Sequence, residues 1–134
     1  MSRYLTPGDI LPVDGDSSRL IGRVWSASES GPCVVLIDGQ QVRNLNRLSP
    51  TVSGLLDKED LLDALNGVDN FPVLAALDDF LPDESGSPGL AGELLAPSDL
   101  QPIKAAGVTF AQSMLERVIE EQVKGDPSKA AAIR

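Results

Sequence analysis

Carboxylates and hydroxyls are the side chains with which this 134-residue chain could do chemistry, because it contains no histidine. Histidine is the commonest general base near neutral pH and a frequent zinc ligand. Its absence excludes histidine-based triads and histidine zinc sites within these residues. The single cysteine, Cys33, lies in an apolar run and is predicted to be a small buried residue. One cysteine cannot form an internal disulfide, which favours a reducing compartment.

The carboxylates are concentrated in one part of the chain. Residues 57–93 contain ten acidic side chains and one lysine and account for the net charge of −9. Nucleic-acid binding is not expected, since phosphate contacts need a basic surface. Some of the acids could line a metal site, but we interpret them as the outer faces and caps of short helices. They are Asp57, Glu59, Asp60, Asp63, Asp78 and Asp79.

The elements that position these residues begin with a small antiparallel sheet. Strands are predicted over 19–26, 33–37 and 40–45, with a hairpin turn at Asp38-Gly39. Short helices are predicted from Thr51 or Ser53 through Leu56, over 57–65 and over 70–77. Residues 82–93 are rich in proline, glycine, serine and acids, which is typical of a linker.

A strand followed by a long amphipathic helix is predicted after this linker. The strand covers residues 103–108 and the helix runs from about 110 to 124. Thr109 is the expected N-cap, and Gln112 completes a capping-box pattern. A further short helix begins after Pro127 and has little to pack against. We therefore expect the chain to be the front part of a longer protein, or its tail to be frayed.

The sequence around this junction resembles the start of the catalytic domain in the fumarylacetoacetate hydrolase family. The resemblance lies in LAPSDLQPIKAAGVTF (95–110), AQSMLERVIEE (111–121) and GDP (125–127). The most similar branch contains dehydratase-like proteins that act on 2-keto-3-deoxy sugar acids. Many members have the pattern Gly-x-Asn-Tyr-x-x-His-x-x-Glu here, and its His and Glu form a pair on a mobile helix that closes over the metal-bound substrate.

The resemblance implies a role for four residues. Thr109 and Phe110 stand where the family has Asn and Tyr, and would contact the substrate. Ser113 replaces the histidine and Glu116 matches the glutamate, so both would be catalytic lid positions. A serine hydroxyl does not titrate near pH 7, so we expect dehydratase-like chemistry on a 2-keto acid rather than C–C hydrolysis. Alternatively, Ser113 and Glu116 are ordinary polar positions on an amphipathic helix.

The family also binds Mg²⁺ through three carboxylates, which by this resemblance lie beyond residue 134. No metal ligand is therefore expected within these residues, and this segment alone should be inactive. Magnesium suits the implied chemistry, since a hard cation can hold a 2-keto acid and stabilise an enolate.

The predicted fold class is α+β. Residues 1–81 would form an N-terminal accessory domain with a small antiparallel sheet and short helices, 82–93 a linker, and 94–134 the strand–helix start of an incomplete β-roll catalytic domain. The full-length protein would be a cytoplasmic, magnesium-dependent hydrolase or lyase (dehydratase) and a homodimer. No apolar run approaches the roughly 20 residues that cross a membrane. The alternative is a non-catalytic interaction module with an acidic helical face.

Overall fold

A computed structural model describes residues 5–107 and 110–123. The chain forms two compact units, residues 1–101 and 102–134. The architecture is mixed α+β with an antiparallel sheet and short helices, as predicted. Among the helices of the described residues, none is long and apolar enough to span a bilayer.

The first unit is built on a curled antiparallel sheet of five strands in the order β4-β3-β2-β1-β5. The strands are β1 (Leu20–Ser26), β2 (Gly31–Asp38), β3 (Gln41–Asn44), β4 (Val73–Ala76) and β5 (Gly92–Leu95). The first three confirm the predicted strands. A two-residue turn joins β2 to β3, and Gly39 in it has φ 60°, a conformation that costs glycine little.

Short helices connect these strands. They are α1 (Pro7–Ile10), α2 (Val52–Leu56) and α3 (Leu61–Leu65), with 3₁₀ turns at Gly15–Ser17, Val68–Asn70 and Leu77–Phe80. Helix α2 confirms the prediction, including its cap, since Gly54 N donates to Thr51 Oγ1 at 3.0 Å. Helix α3 begins at Leu61, four residues after the predicted start.

The predicted helix over 70–77 is wrong, because these residues contribute strand β4. Val42 pairs with Ala75 and Gln41 with Ala76, so β3 supplies the backbone partners of this edge strand. Leu74 and Ala75 also pack against the buried cluster around Phe80. Cross-strand pairing and burial thus override the helix-forming tendency of alanine and leucine.

Strand β5 extends the sheet beyond the predicted domain boundary at residue 81. It pairs antiparallel with β1, with Glu93 opposite Trp25 and Leu95 opposite Arg23. The first unit therefore includes residues assigned above to the linker 82–93 and to the start of the catalytic domain.

The second unit does not contain the predicted strand within its described part. Residues 102–107 have no regular secondary structure and are exposed, and residue 108 lies outside the described residues. The predicted helix is confirmed as α4 (Ala111–Val123). Its predicted N-cap, Thr109, also lies outside the described residues.

Side chains alternate along each strand, so each face of the sheet contributes to its own buried cluster. One buried cluster consists of Val24, Cys33, Val35, Val42, Leu77 and Phe80. The other joins the sheet to α2 and α3 and consists of Val34, Leu36, Leu45, Val52, Leu55, Leu65 and Phe71. Cys33 is fully buried, as predicted, and this burial raises the pKa of its thiol.

Candidate functional site

Helix α4 presents the two residues that the resemblance assigns to the lid. Ser113 is exposed and Glu116 is partly buried. Because they are three residues apart on a helix, their side chains lie on the same side of it. The carbonyl of Phe110 accepts a hydrogen bond from Met114 N at 3.0 Å, so the helical bonding begins at Phe110. The ring of Phe110 is 75% exposed.

This arrangement places a hydroxyl and a carboxylate on one side of the helix. The hydroxyl of Ser113 can donate and accept hydrogen bonds but does not ionise near neutral pH. The carboxylate of Glu116 can serve as a proton donor or acceptor. The pair can therefore orient a water or substrate hydroxyl, with Glu116 as the only one of the two able to act as an acid or base.

The larger apolar side chains of α4 follow the opposite side of the helix from this polar pair, as 3.6 residues per turn requires. Phe110, Met114, Leu115 and Val118 are between 46% and 75% exposed. Neighbouring exposed apolar residues are typical of surfaces that contact a ligand or another protein segment. The candidate pair therefore lies on the polar side of α4, and the exposed apolar residues form a separate surface on its other side.

The six acidic residues singled out in the sequence remain on the surface of the first unit. Asp79 is partly buried and the other five are exposed. Lys58 Nζ lies 4.0 Å from Asp60 Oδ1, and an exposed pair of this kind contributes little to stability. Within the described ranges 5–107 and 110–123, no three His, Cys, Asp or Glu side chains are arranged to hold a metal ion.

Two open hollows in the first unit are mainly apolar. One, of about 320 Å³, is lined by Phe80, Leu81 and Glu93 among others, and Glu93 is the ionisable residue among its described lining residues. The other, of about 250 Å³, is lined by apolar residues that include Ile10, Leu20 and Leu94. Neither of these two hollows combines an acid with a base or a nucleophile, whereas α4 carries a hydroxyl and a carboxylate on one side.

Sequence reasoning missed two charged residues with extensive contacts. Arg43 is largely buried, and its guanidinium donates to Asp38 Oδ2 and to the carbonyl of Phe71, each at 2.9 Å. Asp99 accepts hydrogen bonds from backbone N–H groups of α2, as detailed below. Phe71 is 28 positions from Arg43, and α2 is more than 40 from Asp99, so no local pattern could have revealed these contacts.

Comparison with family models, curated proteins and solved structures finds no match to the chain. The functional assignment therefore depends on α4 and on the sequence block that precedes it.

Proposed function

We propose that this chain is the N-terminal portion of a fumarylacetoacetate hydrolase-family enzyme that acts on a 2-keto acid in a magnesium-dependent reaction. The observation that carries the proposal is the block 95–121, which resembles the family's lid junction. Its helical half is α4, where Ser113 and Glu116 share one side and Ser113 is exposed. In the full-length protein we expect a cytoplasmic homodimer.

The roles follow from the chemistry of each side chain. Glu116 moves the proton, because a carboxyl group can act as a general acid or base and a serine hydroxyl without an activating base cannot. Ser113 positions a water or a substrate hydroxyl through its Oγ. Phe110 and Thr109 contact the substrate at the start of the lid helix. Dehydration of a 2-keto-3-deoxy acid removes a proton from C3 and the hydroxyl group from C4, which leaves as water once it is protonated. A positioned acid–base group serves both proton transfers, so we favour dehydration over C–C hydrolysis.

The described residues of this chain do not fit magnesium, since they offer no cluster of carboxylates. The resemblance assigns the ligands to residues after Arg134. When bound, Mg²⁺ would hold the 2-keto acid and stabilise negative charge on its oxygens. The contribution of these 134 residues would be the lid.

The test is to read the coding frame beyond Arg134 and assay its whole product. A Glu-x-Glu motif and a later aspartate are expected. The product should convert 2-keto-3-deoxy sugar acids, or hydrolyse 2-keto acids at a C–C bond, only with Mg²⁺. Glu116→Gln should lower kcat by roughly 100-fold or more, as loss of a general acid or base does. Glu120→Gln, an exposed glutamate on the same helix, is the matched control and should retain activity.

A stop codon directly after Arg134, or a full product that is inactive on every 2-keto acid in the panel, would overturn the proposal. Equal activity of the Glu116→Gln and Glu120→Gln variants would remove Glu116 from the catalytic residues.

A non-catalytic interaction module is the second candidate. The observation that favours it is the exposed acidic surface around α3, where Leu62 is 71% exposed between Asp60 and Asp63. Such a surface would bind a basic partner with an affinity that falls as salt rises. A folded 134-residue gene product whose binding to a basic peptide is lost on changing Asp60 and Asp63 to Asn would support this alternative.

A further inference from the structure

The last residues of the first unit are attached to α2 through the side chain of Asp99. Its Oδ2 accepts from Val52 N at 2.7 Å, and its Oδ1 accepts from Ser53 N at 3.0 Å. Oδ1 also accepts from Leu100 N at 2.7 Å. Arg23 Nε on β1 lies 4.0 Å from Oδ2, and the Asp99 side chain is only 9% exposed.

These bonds satisfy N–H groups that α2 cannot satisfy itself. The first N–H groups of any helix lack intrahelical acceptors. In α2, Asp99 accepts from Val52 and Ser53, and the hydroxyl of Thr51 accepts from Gly54. A five-residue helix is too short to be stable by itself. Its formation therefore depends on acceptors and packing from elsewhere in the unit.

The segment that carries Asp99 is also the segment where the unit ends. Asp99 N donates to Gln101 Oε1 at 2.8 Å, which fixes the turn around Leu100. The first unit ends at Gln101, and residues 102–107 are exposed. Asp99 thus makes long-range hydrogen bonds to α2 close to the end of the first unit.

We propose that Asp99 is a conformational clasp, which joins the terminal segment 96–101 to α2 and so sets where the ordered sheet unit ends. Releasing the clasp frees segment 96–101 and loosens the N-terminus of α2, while the sheet stays folded. This inference concerns the first unit alone and does not depend on the proposed function.

A second aspartate provides a matched comparison. Asp83 Oδ1 also accepts from two backbone N–H groups, those of Ser85 at 2.8 Å and Ser87 at 3.0 Å. Its partners lie within four residues of it, whereas those of Asp99 on α2 lie 46 and 47 residues away. Asp83 therefore shapes one loop, and Asp99 connects two distant parts of the chain.

The test is amide hydrogen exchange on wild type, Asp99→Asn and Asp83→Asn. Asp99→Asn leaves one acceptor oxygen for two N–H groups, so exchange at whichever of Val52 and Ser53 loses its acceptor should speed up by about fivefold or more. It should also make segment 96–107 a preferred site of limited proteolysis. Exchange of the β2 amides should stay within about twofold of wild type if the sheet remains folded. Asp83→Asn should affect only residues 83–87.

The proposal is overturned if Asp99→Asn leaves Val52 and Ser53 as protected as in wild type, or if it accelerates exchange equally throughout the sheet. Should Asp99→Asn fail to fold, the wild-type protein still provides a test. The amide shifts of Val52 and Ser53 should then titrate with an acidic midpoint below that of an ordinary aspartate. Shifts that do not titrate below pH 5 would equally overturn the clasp.

Discussion

Helix α2 has five residues and α4 has thirteen, yet the shorter helix contributes more to a core. In α2, Val52 and Leu55 are almost fully buried, whereas Met114 and Leu115 of α4 are more than half exposed. The difference shows that α2 depends on its tertiary contacts, whereas α4 buries Ile119 and leaves the larger apolar residues before it half or more exposed. The candidate catalytic residues lie on the helix that contributes less to stability and presents more of its surface.

The largest effect is expected when a leucine is replaced by alanine on each of the two helices. Leu55→Ala removes a fully buried side chain from the cluster under α2 and should lower the free energy of unfolding by about 2–5 kcal/mol. Leu115→Ala removes a side chain that is 62% exposed and should change that free energy by no more than about 0.5 kcal/mol. Urea unfolding followed by circular dichroism measures both, and similar losses in the two variants would refute the contrast.

A smaller difference in stability is expected between two glycine-to-alanine substitutions, one in each unit. Gly92 begins β5 with φ 141°, and a Cβ there would collide with the carbonyl oxygen of Trp25 on β1. Gly92→Ala should therefore destabilise the protein by about 1–3 kcal/mol. At Gly107 no atom of the described residues, apart from its chain neighbours, lies within 4 Å of the corresponding position, so Gly107→Ala should be neutral within about 1 kcal/mol.

Thermal unfolding of the two alanine variants gives the comparison directly. If Gly92→Ala melts at the wild-type temperature, β5 is not held against β1 as tightly as the register indicates. If Gly107→Ala is the more damaging change, the residues around it make contacts that their exposure does not reveal.

The sequence could predict the elements whose signals are local. The apolar run of β2 and the turn with Gly39 identify the hairpin, and the hydroxyl of Thr51 identifies the start of α2. The 3.6-residue period identifies α4, which needs no partner to be recognised. These features depend on residues within a few positions of one another.

Elements that depend on distant partners could not be predicted in the same way. Residues 73–76 have the composition of a helix and become a strand because β3 presents an edge to them. Residues 103–107 are part of a short, largely apolar run after Pro102, which predicted a strand, and they form none in the structure. For the candidate site, the sequence identified Ser113 and Glu116 through a resemblance, while Asp99 has no local signal because α2 is far away in the chain.

The smallest predicted effect is the pH dependence of the Asp99 clasp. Burial opposes ionisation of this carboxyl, but the N–H groups of Leu100, Val52 and Ser53 together with Arg23 outweigh it and lower the pKa of Asp99. A carboxyl with a lowered folded-state pKa stabilises the protein fully above its unfolded-state pKa of about 3.9, and this stabilisation is lost as pH falls through the folded-state pKa.

The difference in unfolding free energy between wild type and Asp99→Asn should therefore be constant from about pH 7 to pH 5 and shrink below about pH 4. Urea titrations at several pH values measure it. Asp83 also has a lowered pKa, chiefly through Ser85 and Ser87, so Asp83→Asn should show the same direction of change. Its effect should be smaller, because Asp83 is exposed and orders only its own loop. A pH-independent difference for Asp99→Asn would mean that the shape of the side chain, and not its charge, joins segment 96–101 to α2.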